Sequence, residues 1–522
     1  MSILRRLPRL TSTLRIFPRA PTRRFVTTTV GISQKETASY ADLKASDEAH
    51  QQHGFGHPLM QKGPRQLVVF ESGDGAVLKD VEGKEYLDAM AGITVAHLGH
   101  GRNDLAQVAF EQMSKLEVSS NQRNLTNNNA IKVCERLSSL AAQAFPEKMT
   151  GSRVYLTAGG GEGIEAAYHL ALRYWNKSGP LGSSIGGGYK KQKLVSFRNC
   201  YHGSTFIPAS MKPEFSDYGW KRWMEGHDKS VYGSSPHRMF VNIDPPHELF
   251  LDKSKMKPGE NVGQAAARQL EETIIGEDPE TVAAFVFEPV QGDGGAVDMH
   301  REFFPLAEQI CKQYGVLMIA DEIMAFAKTG HWFGMELYGV CPDIMVISKG
   351  LTCGYLPMGA VIYTNDLWKT AFNSTSTKLM MSDVWQHDYT WSGHPVCAAV
   401  ALRALDIIRS EGLITKCAER GRTFLNVLKQ KLEGLHMVQQ VRGTGVMLGV
   451  DLISDIATDI EQKVLLEYGV VLRASTNKHC LLLTPPYVMT DEQFERVADA
   501  LYKVLSSFTT LAENAISKSR QH

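Results

Sequence analysis

Five short, unbroken runs of apolar and β-branched residues punctuate the middle of the chain, and each ends in a segment rich in glycine or in reactive side chains. Arg153–Thr157 (RVYLT) leads into Ala158-Gly159-Gly160-Gly161-Glu162, and 194–197 (LVSF) into Asn199-Cys200-Tyr201-His202-Gly203-Ser204. Residues 283–287 (AAFVF) run into Glu288-Pro289-Val290-Gln291-Gly292, 316–320 (VLMIA) into Asp321-Glu322, and 344–348 (IMVIS) into Lys349-Gly350. Runs this short, apolar without alternation, suit strands buried on both faces of a parallel sheet. Such sheets bind their ligands at the carboxyl ends of the strands. The five runs therefore point to one shared site.

Between some of the runs lie helical patterns. Ile164, Ala167, Tyr168, Ala171, Tyr174 and Trp175 form one apolar stripe at helical spacing. Strands alternating with helices predict an α/β fold, a large domain around a mainly parallel sheet. The two chain ends read differently. DVEGKEYLDAMAG carries a Glu82-Gly83 turn between two short strands, and the C-terminal part holds a helix over 395–411, a VRGTGVMLGVDL strand signal and a helix after Thr490. Both ends are expected to pack together as a smaller α+β domain. The division is 31–95 and 376–522 for the small domain and 96–375 for the large one. A Gly/Ser-rich, then basic, stretch at 178–193 reads as a surface loop.

Composition narrows the function by exclusion. Lys plus Arg and Asp plus Glu both number 56, so no overall field favours nucleic acid. No uninterrupted apolar stretch approaches the ~18 residues of a membrane span. Cysteines 134, 200, 311, 341, 353, 397, 417 and 480 form no CxxC pair and no Cys/His cluster at zinc spacing, so no metal is expected and reduced thiols are. Residues 1–30 stand apart. They hold Arg5, Arg6, Arg9, Arg15, Arg19, Arg23 and Arg24, with no acid before Glu36. That is the composition of a mitochondrial presequence, and predicts a matrix location with processing near 24–29.

A glycine-rich helix start, a strand-end acid, an aromatic and a strand-end lysine together suit one cofactor, pyridoxal 5′-phosphate (PLP). Bare glycine N–H groups at a helix N-terminus bind a phosphate. An amine is needed for the aldehyde, and a carboxylate to keep a proton on the ring nitrogen, which makes the ring an electron sink.

HPLMQ (57–61), YLDAMAGITVAHLGHGR (86–102), NCYHGST (199–205), FEPVQGDGG (287–295), SKGLTCGYLPMGAVI (348–362) and HDYTWSGHPVCAAVA (387–401) resemble the class III aminotransferases, nearest the ω-amino acid or amine:pyruvate branch. The resemblance implies the fold-type I architecture, homodimers with shared active sites, and ping-pong transfer of an amino group from an ω-amino acid, amine or amino acid to a keto acid such as pyruvate. It implies that Lys349 carries PLP as a Schiff base and serves as general base, and that Asp321 pairs with the pyridinium. Gly160 and Gly161 would bind phosphate, Tyr201 and Ile323 would cover the two faces of the ring, and Glu288 would order the site. Thr390 would reach the phosphate of the neighbouring subunit's cofactor. Arg473, in GVVLRAS ahead of Thr484-Pro485-Pro486, matches the family's carboxylate-binding arginine, the bidentate clamp of an acid substrate.

Three departures bear on that reading. The family's asparagine-serine-glycine-serine-glutamate-alanine-asparagine turn is AGGGEGI (158–164) here, so the cradle is backbone alone. The segment after Asp321 reads DEIMAFAKTG, one residue short, with Lys328 in place of arginine. Thr94 stands where the branch often has a pocket tryptophan, which predicts a wider substrate pocket. His97, His100, His202 and His394 lie off ligand spacing and read as structural, while Met380-Met381 and the aromatics near Trp385 are expected at the site entrance. A PLP decarboxylase or aminomutase on the same scaffold, and a non-catalytic dimeric binding protein, are the alternatives.

Overall fold

The computed structural model describes residues 38–54, 67–178, 190–212, 239–372, 384–476 and 479–519. The Arg-rich segment 1–30, the HPLMQ stretch, residues 179–189 of the expected loop, and Met380-Met381 lie outside them. Two compact units divide the chain, residues 1–67 and 68–522. In the first, Ser39 caps the helix Tyr40–His50, exchanging hydrogen bonds with Asp42 in a capping box.

The second unit is built on a seven-stranded sheet ordered Arg153–Thr157, Gly359–Tyr363, Ile344–Ile347, Leu317–Asp321, Val282–Phe287, Lys193–Phe197 and Phe240–Ile243. Only Gly359–Tyr363 runs against the rest, pairing antiparallel with both neighbours. The others pair in parallel or share their direction, so their carboxyl ends gather on one edge. All five expected strands are present, each within one residue of its expected ends. Two more, Phe240–Ile243 and the antiparallel Gly359–Tyr363, complete the sheet.

Why these runs lack alternation is visible in their packing. Phe285, Phe287, Met318, Ala320, Met345 and Ile347 enter one buried cluster, while Val286, Ile319 and Val346 between them enter another on the opposite face. Both faces are dry, so every position is apolar. One face carries the ring cluster of Phe197, Phe285, Phe287, Phe303 and Phe304. On the other lies the helix Gly160–Ser178, with Ile164, Ala167, Tyr168 and Ala171 of the expected stripe buried.

Early and late segments of the second unit pair with each other. Phe70–Asp74, Val77–Asp80 and Glu85–Asp88 form a meander whose last strand pairs in parallel with Val470–Val471. Gly83 supplies the positive φ of the turn at 82–83. A second four-stranded sheet joins the hairpin Val438–Thr444 and Met447–Leu452 to Cys480–Leu483 and Arg473–Ala474. Arg442 ties this sheet to the loop after Val282–Phe287 by donating from Nε at 3.0 Å and from its terminal nitrogen at 2.7 Å to the Gly295 carbonyl. The helix Pro395–Ser410 packs on Asn103–Lys115 and Asn128–Ala144, and its Val400, Ala401, Ala404 and Leu405 belong to the large core. Its continuous apolar face demands that burial. The helix Leu413–Leu432 bridges the two parts: Leu413 and Cys417 enter the large core, Phe424 and Leu428 the small one. No described helix is long and apolar enough to cross a membrane.

The bridging helix approaches its neighbours most closely at Gly421. A Cβ there would overlap the Gly445 carbonyl, and Gly445, itself at φ 57°, leaves no room between that helix and the Lys328 carbonyl. Gly421→Ala should cost about 1–3 kcal/mol, as overpacking does. The urea midpoint of unfolding measures it; an unchanged midpoint would contradict the close packing assigned to this crossing.

Candidate active site

At the carboxyl edge of the large sheet, Leu317–Asp321 pairs with Ile344–Ile347 so that Asp321 lies beside Val346, three residues before Lys349. Asp321 is 2% exposed. One of its oxygens accepts the Ile323 N–H at 3.0 Å, and the other lies 2.7 Å from His202 Nδ1. The site thus gains a residue that was expected to be merely structural. Burial works against charging the His202 ring, but the Cys200 sulfur and the Asp321 carboxylate outweigh it and raise its proton affinity well above that of a free histidine. Its Nε2 has no partner among the described residues.

Lys349 follows Ser348, whose hydroxyl donates to the Met358 carbonyl at 2.7 Å. Its own φ of 35° is a left-handed value, uncommon for a side-chain-bearing residue and frequent at functional sites. The amine makes no hydrogen bond among the described residues. Burial, aided by Arg473, pushes it down to about 8, against the pull of Asp321, Glu288 and Asp293. A lysine held this near neutrality is a nucleophile and a base at physiological pH.

The other strand ends close around this pair. Glu288 accepts the Tyr201 N–H at 3.0 Å and the Gly292 N–H at 2.8 Å, stitching two strand-end loops together. Burial raises its proton affinity, Asp321 adds to that, and His202 opposes it. The loop carrying Tyr201 also packs on the first turn of the helix Gly160–Ser178. A Cβ on Gly203 would come within 2.9 Å of Gly161 Cα, and one on Gly160 within 2.7 Å of Ile323 Cδ1. Glycine is thus required at the helix start, where the first N–H groups have no partner within the helix. Of the expected residues, Lys349, Asp321, Gly160, Gly161, Tyr201, Ile323, Glu288 and Arg473 come together. Thr94 (φ 63°) is buried with its hydroxyl unpartnered among the described residues, and Thr390 is exposed; neither hydrogen-bonds to the cluster.

The chemistry of the group fits PLP: a near-neutral amine, a buried carboxylate fixed by an imidazole, and a helix start that a single Cβ would fill. Residues 59–505 match the family described as Aminotransferase class-III. The chain belongs to the class-III aminotransferases. Among its relatives is the putrescine–pyruvate aminotransferase of Pseudomonas aeruginosa, 31% identical over 458 residues, which span 86% of this chain and 91% of that one. Another is the mitochondrial gamma-aminobutyrate transaminase 1 of Oryza sativa subsp. indica, 29% identical over 82% of this chain and 79% of its own. An amine transaminase from an uncultivated Pseudomonas species, solved in its PLP-bound form, superposes with a TM-score of 0.74 at 27% identity, covering 88% of this chain and 98% of that one. The aminotransferase has the fold-type I architecture and uses PLP to transfer amino groups. The relatives named above are aminotransferases, which does not favour a decarboxylase, an aminomutase or a silent binding protein.

Several polar residues of the site went unforeseen. Lys212 and Asp293 form a buried ion pair at 2.9 Å beside Tyr201. Lys328 is buried, donating to the Met324 carbonyl at 2.7 Å; burial and then Lys349 hold its proton affinity far below a free lysine's. His97 stacks on Tyr487, with both ring nitrogens unpartnered among the described residues. The sequence offered local signals for His202, next to the expected ring-stacking tyrosine, for Lys328, in the segment after Asp321, and for Asp293, within FEPVQGDGG.

Glu322, next to Asp321, accepts from Gly334 N at 2.6 Å and Met335 N at 2.9 Å, yet burial pushes its carboxyl up to about 8. Between its ordinary value of 4.5 and about 8 the folded protein therefore holds a proton that the unfolded chain has released. Stability must fall as pH rises through that window. Glu322→Gln should flatten the fall, measured by urea unfolding from pH 5 to 8; parallel curves for the two proteins would contradict the assignment.

Proposed function

We propose that this aminotransferase moves an amino group from an ω-amino acid or amine to a 2-oxo acid such as pyruvate, in two half-reactions through Lys349. The observation that carries the reading is the amine of Lys349, half-buried, without a hydrogen bond among the described residues, and lowered to about 8 beside Asp321. Bound there, PLP supplies an aldehyde that exchanges amines and a protonated ring that draws electrons from the substrate carbon.

The remaining roles belong to the chain's own residues. Lys349 Nζ would hold the cofactor and would serve as the base that takes and returns the proton at the amino-bearing carbon. Asp321, oriented by His202, keeps a proton on the ring nitrogen. Gly160 and Gly161 turn their N–H groups to the phosphate, whose charge the dipole of the 19-residue helix Gly160–Ser178 favours. Tyr201 and Ile323 cover the ring's two faces, and Glu288 holds Tyr201 by its N–H. Arg473 clamps the acid group of the acceptor, and Thr94, smaller than a tryptophan, widens the pocket for the donor.

A homodimer completes the site. Phe110, Met113, Leu125, Ile131 and Trp391 are exposed apolar side chains. The segments bearing them are tied together where Asn129 donates to Gln112 at 2.9 Å and to Pro395 at 3.2 Å, and Asn127 to Gly393 at 2.8 Å. Exposed apolar surface gathered in one region marks an interface. Thr390, one residue from Trp391, would then serve the neighbouring copy's phosphate. The Arg-rich residues 1–30, and a relative named as mitochondrial, support import into the matrix.

The visible spectrum tests the reading. The purified protein should be yellow, and β-alanine, 4-aminobutyrate, alanine or a simple amine should bleach it, with pyruvate restoring the colour. Lys349→Ala should lose turnover by at least about 10⁴-fold, since nucleophile and base go together. Retained turnover in that variant, or colour indifferent to all four donors, would overturn it.

A further inference from the structure

A cavity of about 360 Å³ opens between the large core and the C-terminal sheet, and no residue assigned above to the cofactor or the substrate lines it. That volume is in the range of small-molecule pockets. Pro246, Val262, Met299, Leu425 and Val441 make its apolar wall. Arg442 lines it too, but its guanidinium is taken: both Asp451 oxygens accept from it, one at 2.8 Å, and so does the Gly295 carbonyl at 2.7 Å. At the rim, Lys429 lies 3.9 Å from Glu433 and Glu248 3.5 Å from Lys253, each paired with a residue outside the lining. Asp298 differs from all of these. It is half-buried at the end of Val297–Asp298, and its carboxylate makes no hydrogen bond or ion pair among the described residues. Two histidines add donors to the lining. His247 Nδ1 accepts the Leu249 N–H at 3.3 Å, and His300 Nδ1 accepts the Glu302 N–H at 3.4 Å. In a neutral ring the proton then sits on Nε2. Burial, and then Arg442, lower the affinity of His247 for a second proton.

We propose that this cavity binds a free amino acid with an apolar side chain, at a site separate from the one where amino groups are transferred. The ligand's ammonium pairs with the Asp298 carboxylate. Its carboxylate accepts from Nε2 of His247 and His300, with Lys429 at the rim, and its side chain lies against Leu425 and Val441. A ligand with only a positive charge would face two N–H donors that it cannot use. One with only a negative charge would leave Asp298 unpaired beside it, and a sheltered charge is costly unless it is paired. A zwitterion satisfies both sides, through hydrogen bonds to charged groups, which are the strong ones. The inference does not depend on which donor or acceptor the aminotransferase uses.

The test uses the full yellow protein, reduced with borohydride so that its cofactor can no longer exchange amino groups. Calorimetric titration compares L-leucine with two probes that each lack one of its charges, 4-methylpentanoate and 3-methylbutylamine. L-Leucine should bind once per chain and at least about tenfold tighter than either, the difference that one hydrogen bond to a charged group makes. Asp298→Asn should weaken L-leucine and 3-methylbutylamine about tenfold and leave 4-methylpentanoate no weaker. Lys429→Met should weaken L-leucine and 4-methylpentanoate and spare 3-methylbutylamine. Neither variant should change the rate at which an amino donor bleaches the unreduced protein. Wild-type protein that does not bind L-leucine, or binds it no tighter than the probes, would overturn the inference, even if Asp298→Asn fails to fold. So would a folded Asp298→Asn that binds L-leucine as the wild type does. Leu425→Trp fills the cavity from the helix Leu413–Leu432 and should abolish binding; L-leucine held as before would place it elsewhere and overturn the inference. If the protein carries no yellow cofactor, the titrations run on it as purified, so failure of the cofactor reading is told apart from failure of this one.

Discussion

Parallel pairing between Leu317–Asp321 and Ile344–Ile347 is the constraint on which the site depends. Its register sets Asp321 beside Val346, so the carboxylate and Lys349 emerge from neighbouring strands at the same edge. A slip of one residue would turn Asp321 to the opposite face of the sheet, because side chains alternate. The slip is prevented by the two dry cores, which Met318, Ile319 and Ala320 enter in turn from the same strand. Apolar packing far from any chemistry thus fixes the separation of the acid and the amine.

Burial then tunes the groups that packing has placed. The same loss of water that lowers Lys349 raises Glu288 and Glu322, and each acid is retained because it accepts backbone N–H groups that would otherwise lack partners. Asp321 is held by His202, and Asp293 by Lys212. The cluster is a set of mutually compensated charges around one amine left without a partner among the described residues. Polar groups in a sheltered pocket are tolerated when each is paired. An uncompensated lysine in such a place invites a covalent or proton-transfer role.

How much of this was legible depended on whether the signal was local. The five buried strands were, because apolar runs between glycine-rich turns leave little choice, and so was the gathering of Lys349, Asp321, Gly160 and Gly161 at their ends. The antiparallel strand Gly359–Tyr363 hid inside a motif read for its lysine, and Phe240–Ile243 is only four residues long. Pro395–Ser410 packs in the large core, yet it is an apolar helix that either part could have buried, and sequence alone does not say which. Lys212 and Asp293 are 81 residues apart and meet only in space, as do His202 and Asp321 at 119. Charge pairing at that range leaves no pattern in the chain.

The central claim is that Lys349, and no other lysine, holds the cofactor. Lys328 is the pertinent rival, since it is buried and kept from its charge within electrostatic reach of Lys349. Borohydride reduction of the yellow protein fixes the cofactor to whichever lysine carries it, and peptide mapping by mass spectrometry then reads the position. The account predicts the label on Lys349 alone, with none once that residue is replaced by alanine. A label on Lys328, or labelling that survives the loss of Lys349, would contradict it.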